Sequence, residues 1–223
     1  GQLETGGLPA GMPDLEVLVH DAGSVSSEPF MLMTLIGPES FVVIVDRAGQ
    51  VLWCRPMPHD QHRMVPTDVA WNHMGPGVVV GRFFMDLLSL ASEATPSPSE
   101  AMFLDMSGAE IDGLDLGVAH HELVQLPDGS IATLGTDVRS WEDPERGKDV
   151  GVMGDTVVLV SPAGEREELF STWDWAEPEV HARFYQISDE YGDWTHGHGL
   201  YYDEPPDPLL LSLGLMDTGL ELA

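Results

Sequence analysis

The sequence is short of cations. Nine Lys and Arg stand against 38 Asp and Glu, for a formal charge of −29, and Lys148 is its one lysine. A surface this acidic repels nucleic-acid backbones and anionic membranes, so neither is expected as a partner. There is a single cysteine, Cys54, so no intrachain disulfide can form. Lying next to Trp53 in an apolar stretch, it reads as a small buried hydrophobe rather than a nucleophile. No run of 18 apolar residues occurs, hence no membrane span is expected. Helix signals are scarce, with Phe84–Ala91 as the clearest candidate for a short one. The chain opens on Gly1 without a secretory leader, as a processed chain or a piece of a longer one does.

What it does contain is turn chemistry and repetition. With 24 Gly and 17 Pro, the composition suits many short strands joined by tight turns. One hairpin type occurs three times as a β-branched run, a glycine turn and a second strand. Its copies are Phe41–Asp46 with Gln50–Trp53, Ala101–Asp105 with Ala109–Ile111, and Thr156–Val160 with Glu165–Phe170. Their turn glycines, Gly49, Gly108 and Gly164, are spaced by 59 and 56 residues. A second hairpin type alternates with the first: Val69–His73 with Val78–Val80, Glu122–Leu126 with Ser130–Leu134, and Leu200–Tyr202 with Leu209–Leu213.

Two hairpins per repeat make four strands, the plan of a propeller blade, and a blade needs neighbours on both faces. The expected fold is therefore all-β. It is a β-propeller sector of about three to four four-stranded blades within one domain, 1–223, with approximate blades 15–90, 91–150 and 151–223. Partial strands are expected at Leu15–Val19, Phe30–Ile36 and Thr218–Ala223, as in a fragment of a larger ring, six-bladed in the reading adopted here. The competing architecture is a β-sandwich. Ser140–Val152 reads as a charged loop and Trp175–Trp194 as a long insertion; long loops on a rigid scaffold often carry function.

Histidines recur where the second hairpin type opens. His120-His121-Glu122 precedes Leu123, and Asp193-Trp194-Thr195-His196-Gly197-His198 precedes Leu200. In the first unit Asn72-His73 falls inside the strand, a poor match. In a propeller the innermost strands line the central channel, so His121 and His196 would meet near the axis although 75 residues separate them. Neutral imidazole is a base and nucleophile near neutral pH, and imidazolium donates to developing oxyanions. A cluster can divide these roles, because charging one ring disfavours charging the next.

Taken together, these motifs resemble the bacterial arylsulfotransferases. That family carries His-His-Asp before an apolar strand and a Leu-Pro-Asn/Asp-Gly turn, here His120-His121-Glu122 and Leu126-Pro127-Asp128-Gly129. Then come a Gly-Asp strand (Gly154-Asp155), a Trp-Asp element (Trp173-Asp174-Trp175), an Asp-Trp-x-His-x-Asn motif (Asp193 to His198) and a Leu-Leu-Ser strand (Leu210-Leu211-Ser212). The resemblance is good from His120 onward and looser before it. It implies a periplasmic or secreted propeller that moves a sulfuryl group from an aryl sulfate ester to a phenol through a histidine intermediate. It implies no cofactor and no metal. It puts His121 and His196 in catalytic roles, with His120, His198 and Trp194 binding substrate. The sequence departs from the family twice: His198 stands where the family has asparagine, and Gly214 where it has arginine. The family's attacking histidine falls in a later blade, past Ala223.

Plainer readings accompany each residue. Paired histidines near strand starts can simply bond backbone groups, the tryptophans can be packing, and His59-x-x-His62 suits a solvated loop. His196-x-His198 with Asp193 or Glu122 has the ligand types for a metal-dependent hydrolase. A non-catalytic propeller that binds a ligand or protein is the remaining alternative, and Gly214 favours it.

Overall fold

The computed structural model describes residues 7–13, 15, 29–57, 64–84, 99–143, 147–176, 178, 185–186, 191–202, 209–216 and 218–222. The strand expected at Leu15–Val19 and the helix expected at Phe84–Ala91 lie almost wholly outside this set, and His59 and His62 lie outside it. Among the described residues, no helix is long and apolar enough to cross a membrane.

Four sheets follow one another along the chain. The first is β1 (Phe30–Leu35), β2 (Ser40–Asp46) and β3 (Val51–Met57), paired in that order. The second is a four-stranded meander of β4 (Met64–Trp71), β5 (Gly77–Phe84), β6 (Ser99–Asp105) and β7 (Glu110–Gly117). The third runs through β8 (Ala119–Gln125), β9 (Ile131–Asp143), β10 (Lys148–Val160) and β11 (Arg166–Ser171). It is extended by β12 (Tyr185–Gln186) and β13 (Tyr191–Asp193). The fourth is β14 (Gly197–Tyr202), β15 (Leu209–Leu213) and β16 (Thr218–Leu222). One helical turn, α1 (Thr172–Trp175), follows β11.

Each expected hairpin forms, and where the turn is described its chemistry specifies it. Asp46 Oδ1 accepts from the Ala48 and Gln50 N–H groups, both at 2.8 Å, and Gly49 closes the turn at φ 77°. Asp105 repeats the device with Ser107 at 2.8 Å and Ala109 at 3.0 Å, closed by Gly108 at φ 81°. Left-handed φ suits glycine because it has no Cβ to clash.

The hairpins combine in a different phase from the approximate blade limits. The hairpin that opens a sheet is the one at Val69, Glu122 or Leu200, so sheet boundaries fall between 57 and 64, between 117 and 119, and before 197. The segment 140–152 is not a loop between strands. β9 and β10 continue their ladder out to Asp143 and Lys148. The extension holds because it has apolar cover: Val150 and Val152 are buried with Trp194, and Trp141 packs on them. Most of the insertion 175–194 lies outside the described residues, but its end is β13, which runs parallel to β10 with Asp193 opposite Met153.

Successive sheets stack face to face. Val42 and Met57 pack on Val78, Val80 and Leu104 between the first and second sheets. Val79, Phe83 and Ala101 meet Leu123, Ile131 and Val160 between the second and third. Leu134 and Val157 meet Leu200, Leu211 and Leu213 between the third and fourth. Strand β5 is therefore covered on both faces, as Val78, Val79 and Val80 at 0% exposure require. A two-layer sandwich buries one face of each sheet, so this stack of sheets is a different arrangement.

Candidate functional site

The site forms where the opening strands of the third and fourth sheets lose their regular ladder. On β8, His120 pairs with Leu134 and Leu123 with Thr133, so His121 and Glu122 are bulged out together. On β14, Gly197 pairs with Leu213 and Gly199 with Ser212, so His198 is bulged. Bulges re-aim side chains and are enriched beside functional sites. Two non-glycine residues among the described ones have left-handed backbones, His121 (φ 60°) and His196 (φ 50°). Such a conformation costs of order 1–3 kcal/mol per residue and persists only where its surroundings impose it.

Those surroundings are built on Asp155, which is 4% exposed. Its Oδ2 accepts from the Gly197 N–H at 2.7 Å and from the Thr195 hydroxyl. The Thr195 oxygen in turn accepts from the Asp155 N–H at 3.1 Å. His120 Nε2 lies 3.1 Å from Asp155 Oδ1 and 3.3 Å from the Gly135 carbonyl, so this nitrogen carries the proton. Burial alone would raise the Asp155 pKa, but the His120 contact, the Thr195 hydroxyl and the Gly197 N–H together hold it below the usual value. Asp155 thereby ties both histidine segments to one strand. Gly197 must be small here, since a Cβ would stand 2.9 Å from the Asp155 carboxyl carbon.

Asp193 organises the second segment. One oxygen accepts from the His196 N–H at 3.1 Å, and the other bonds His196 Nδ1. That bond raises the His196 pKa against the opposing effect of burial. His121 is pushed the other way, to about 4, by burial and by the charges of His120, His198 and His196. His198 is lowered by burial and by His196. The cluster therefore pairs a ring whose protonated form is favoured, His196, with a neutral ring at His121.

The rings converge. The centroid of His121 is 5.1 Å from His120, 5.9 Å from His196 and 4.9 Å from His198, and His196 is 4.3 Å from His198. His121 and His196 are half-buried and His198 is exposed. A narrow cleft beside them is lined by His120, His121, Thr136, Asp155, Asp193 and His196. Among the described residues the buried Thr136 hydroxyl, beside this cleft, has no hydrogen-bond partner.

Four of the five sequence-derived site residues come together in this way. Trp194 is placed differently, 3% exposed, its N–H bonded to the Met153 carbonyl at 3.0 Å and its ring 5.1 Å from Trp173. It packs with Val150, Val152 and Trp173. Three further residues, Asp155, Thr136 and Thr195, escaped sequence reasoning as site members. Asp155 stood in the quoted Gly-Asp motif, but its contacts to Thr195 and Gly197 span about 40 residues with no local signature. His73 stays outside; its N–H bonds the Gln125 side chain at 2.8 Å.

The carboxylates show a second coupling. Asp68, on β4, accepts from the Leu123 N–H at 2.9 Å and meets Glu122. Burial and the neighbouring Asp68 raise Glu122 to about 7, so Glu122 carries the proton of this pair.

No curated protein matches the chain. Among solved structures, an uncharacterized protein of Listeria monocytogenes EGD-e is similar at 8% identity and a TM-score of 0.37, over 88% of this chain and 51% of that one. The chain thus spans about half the length of that protein. The model of the Arylsulfotransferase (ASST) family matches residues 19–218, nearly the whole sequence. With its paired histidine segments meeting on Asp155, the chain belongs to the arylsulfotransferase family.

Proposed function

We propose that this chain is a sector of a β-propeller that transfers a sulfuryl group from an aryl sulfate ester to a phenol through a transient sulfohistidine. The observation that carries this reading is the convergence of His121 and His196, both held left-handed, from the opening strands of adjacent sheets. A fold that maintains two strained imidazoles in contact uses them.

The chemistry follows from the two protonation preferences. Sulfuryl transfer passes through a loose transition state, by analogy with phosphoryl transfer, so positioned donors to the equatorial oxygens do most of the work. His196, whose protonated form the Asp193 bond favours, donates to a sulfuryl oxygen. The Thr136 hydroxyl is a second donor. The resemblance puts the family's attacking histidine past Ala223; within this chain the lowered pKa values leave His121 and His198 as the rings that offer a lone pair to sulfur. The N–S bond forms as the S–O(aryl) bond breaks, and the phenoxide leaves. The acceptor phenol then attacks sulfur, its proton passing to the phenoxide released in the first step, and the N–S bond breaks to return the neutral imidazole. His120, bonded to Asp155, positions its neighbour His121. A periplasmic or secreted location goes with this reading.

An assay with a chromogenic aryl sulfate and a phenol acceptor tests it. Acceptor-dependent release, with acid-labile label retained on histidine, is expected, and both should be lost in His196→Ala. Hydrolysis without transfer, or transfer unchanged in that variant, would overturn it.

A second reading, a non-catalytic binding module, draws on Gly214. Its N–H bonds the His196 carbonyl at 3.0 Å, and a Cβ there would stand 3.0 Å from His198 Cδ2. No side chain larger than hydrogen fits without moving His198, so this position supplies no cation. Binding of an aryl sulfate without turnover would favour that module.

A further inference from the structure

We propose that His121, His196 and His198 form a binding site for one first-row divalent cation of zinc-like preference. One nitrogen from each ring lies within 4.8 Å of the others. In a tetrahedral zinc site with bonds of about 2.0–2.1 Å, ligand nitrogens stand roughly 3.3 Å apart. His198 is the exposed member of the three, so binding would draw the rings together from its side. The third ligand is His121, brought in by its bulge, rather than the carboxylates Glu122 or Asp193 that spacing alone suggested.

Two independent features favour a cation. First, Asp193 bonds His196 Nδ1 and orients that ring. A carboxylate behind a ligating imidazole is the usual outer partner of a zinc-bound histidine, fixing tautomer and orientation. Second, the formal charge of −29 draws divalent cations toward the surface and repels anionic esters. Three imidazoles suit zinc over magnesium or calcium, which prefer oxygen ligands. They leave a fourth position for water.

The site shares its rings with the proposed sulfuryl pocket, so metal and aryl sulfate exclude one another. Zinc is then an inhibitor of transfer that a chelator relieves. Metal binding itself does not depend on the transfer reading. An inactive protein that binds metal retains this proposal, and an active one that does not bind it retains the other.

Chelator-stripped protein titrated with Co2+ provides the test. One equivalent per chain should give the intense visible bands of tetrahedral cobalt, and Zn2+ should displace it. His198→Ala, at an exposed position, should abolish the bands. Asp193→Asn should weaken Zn2+ binding by roughly 10–100-fold. His73→Ala, exposed and outside the cluster, should change nothing. Weak octahedral bands only, or binding unaffected by His198→Ala, would mean that surface carboxylates bind the ion and would overturn the proposal.

Discussion

The opening strands of the second, third and fourth sheets share one irregularity and use it differently. On β4, Pro66 pairs with Arg82 and Asp68 with Gly81, so one residue is bulged out between them. On β8 and β14 the bulges present His121, Glu122 and His198. In the second sheet a carboxylate stands near the bulge, and it turns to the neighbouring strand to cap Leu123. In the third and fourth sheets imidazoles stand there, and they turn to each other. The same backbone device thus serves cohesion in one place and chemistry in the other, and the side chain decides which.

Four measurements would break or sharpen that contrast. The largest effect is expected at Asp155, which serves both histidine segments. Asp155→Ala leaves His120, Thr195 and the Gly197 N–H without their acceptor and should cost about 3–5 kcal/mol in urea unfolding. Because its pKa is depressed in the fold, its stabilisation is fully present above the ordinary carboxylate value. It is lost as pH falls through the folded value, so Asp155→Asn should flatten the acid limb of stability. Next, His196→Ala should lower transfer by about 10²–10³-fold, the usual effect of removing one transition-state donor. A fall of similar size in Asp68→Ala would erase the distinction between the bulges.

The third measurement separates strain from use. His121→Gly should be about 1 kcal/mol more stable than His121→Ala, because glycine accepts the left-handed backbone, while both lose transfer. The smallest effect is expected at Glu122. Its pKa is raised from 4.5 to about 7, so the folded chain holds the extra proton between those values. Stability falls as pH rises through that window and the deficit is complete above it. Glu122→Gln should remove this dependence and raise Tm above pH 7, read from thermal melts taken on either side of that window.

Much of the fold was legible because its signals are local. Asp46 with Gly49 and Asp105 with Gly108 specify their turns within a few residues. The strands between them alternate or run apolar according to how many faces they bury. The pairing of hairpins into sheets was not legible, since either neighbour of a hairpin is an acceptable partner by pattern alone. The histidines were found by repetition and motif order. Trp194 reads from the sequence as a substrate contact, and in the fold its ring lies buried beside Trp173. Asp155 was missed as a site member because its partners lie about 40 residues away, and Thr136 because it stands in no motif.

The β8 bulge has one more consequence. It inserts an even number of residues between His120 and Leu123, so the in-and-out alternation resumes in phase beyond it. The core residues on either side cannot tell whether the pair is there. Excising His121 and Glu122 together should leave a continuous, correctly faced strand, which makes the reactive pair a module that a sheet of this design can acquire or discard without rebuilding its interior.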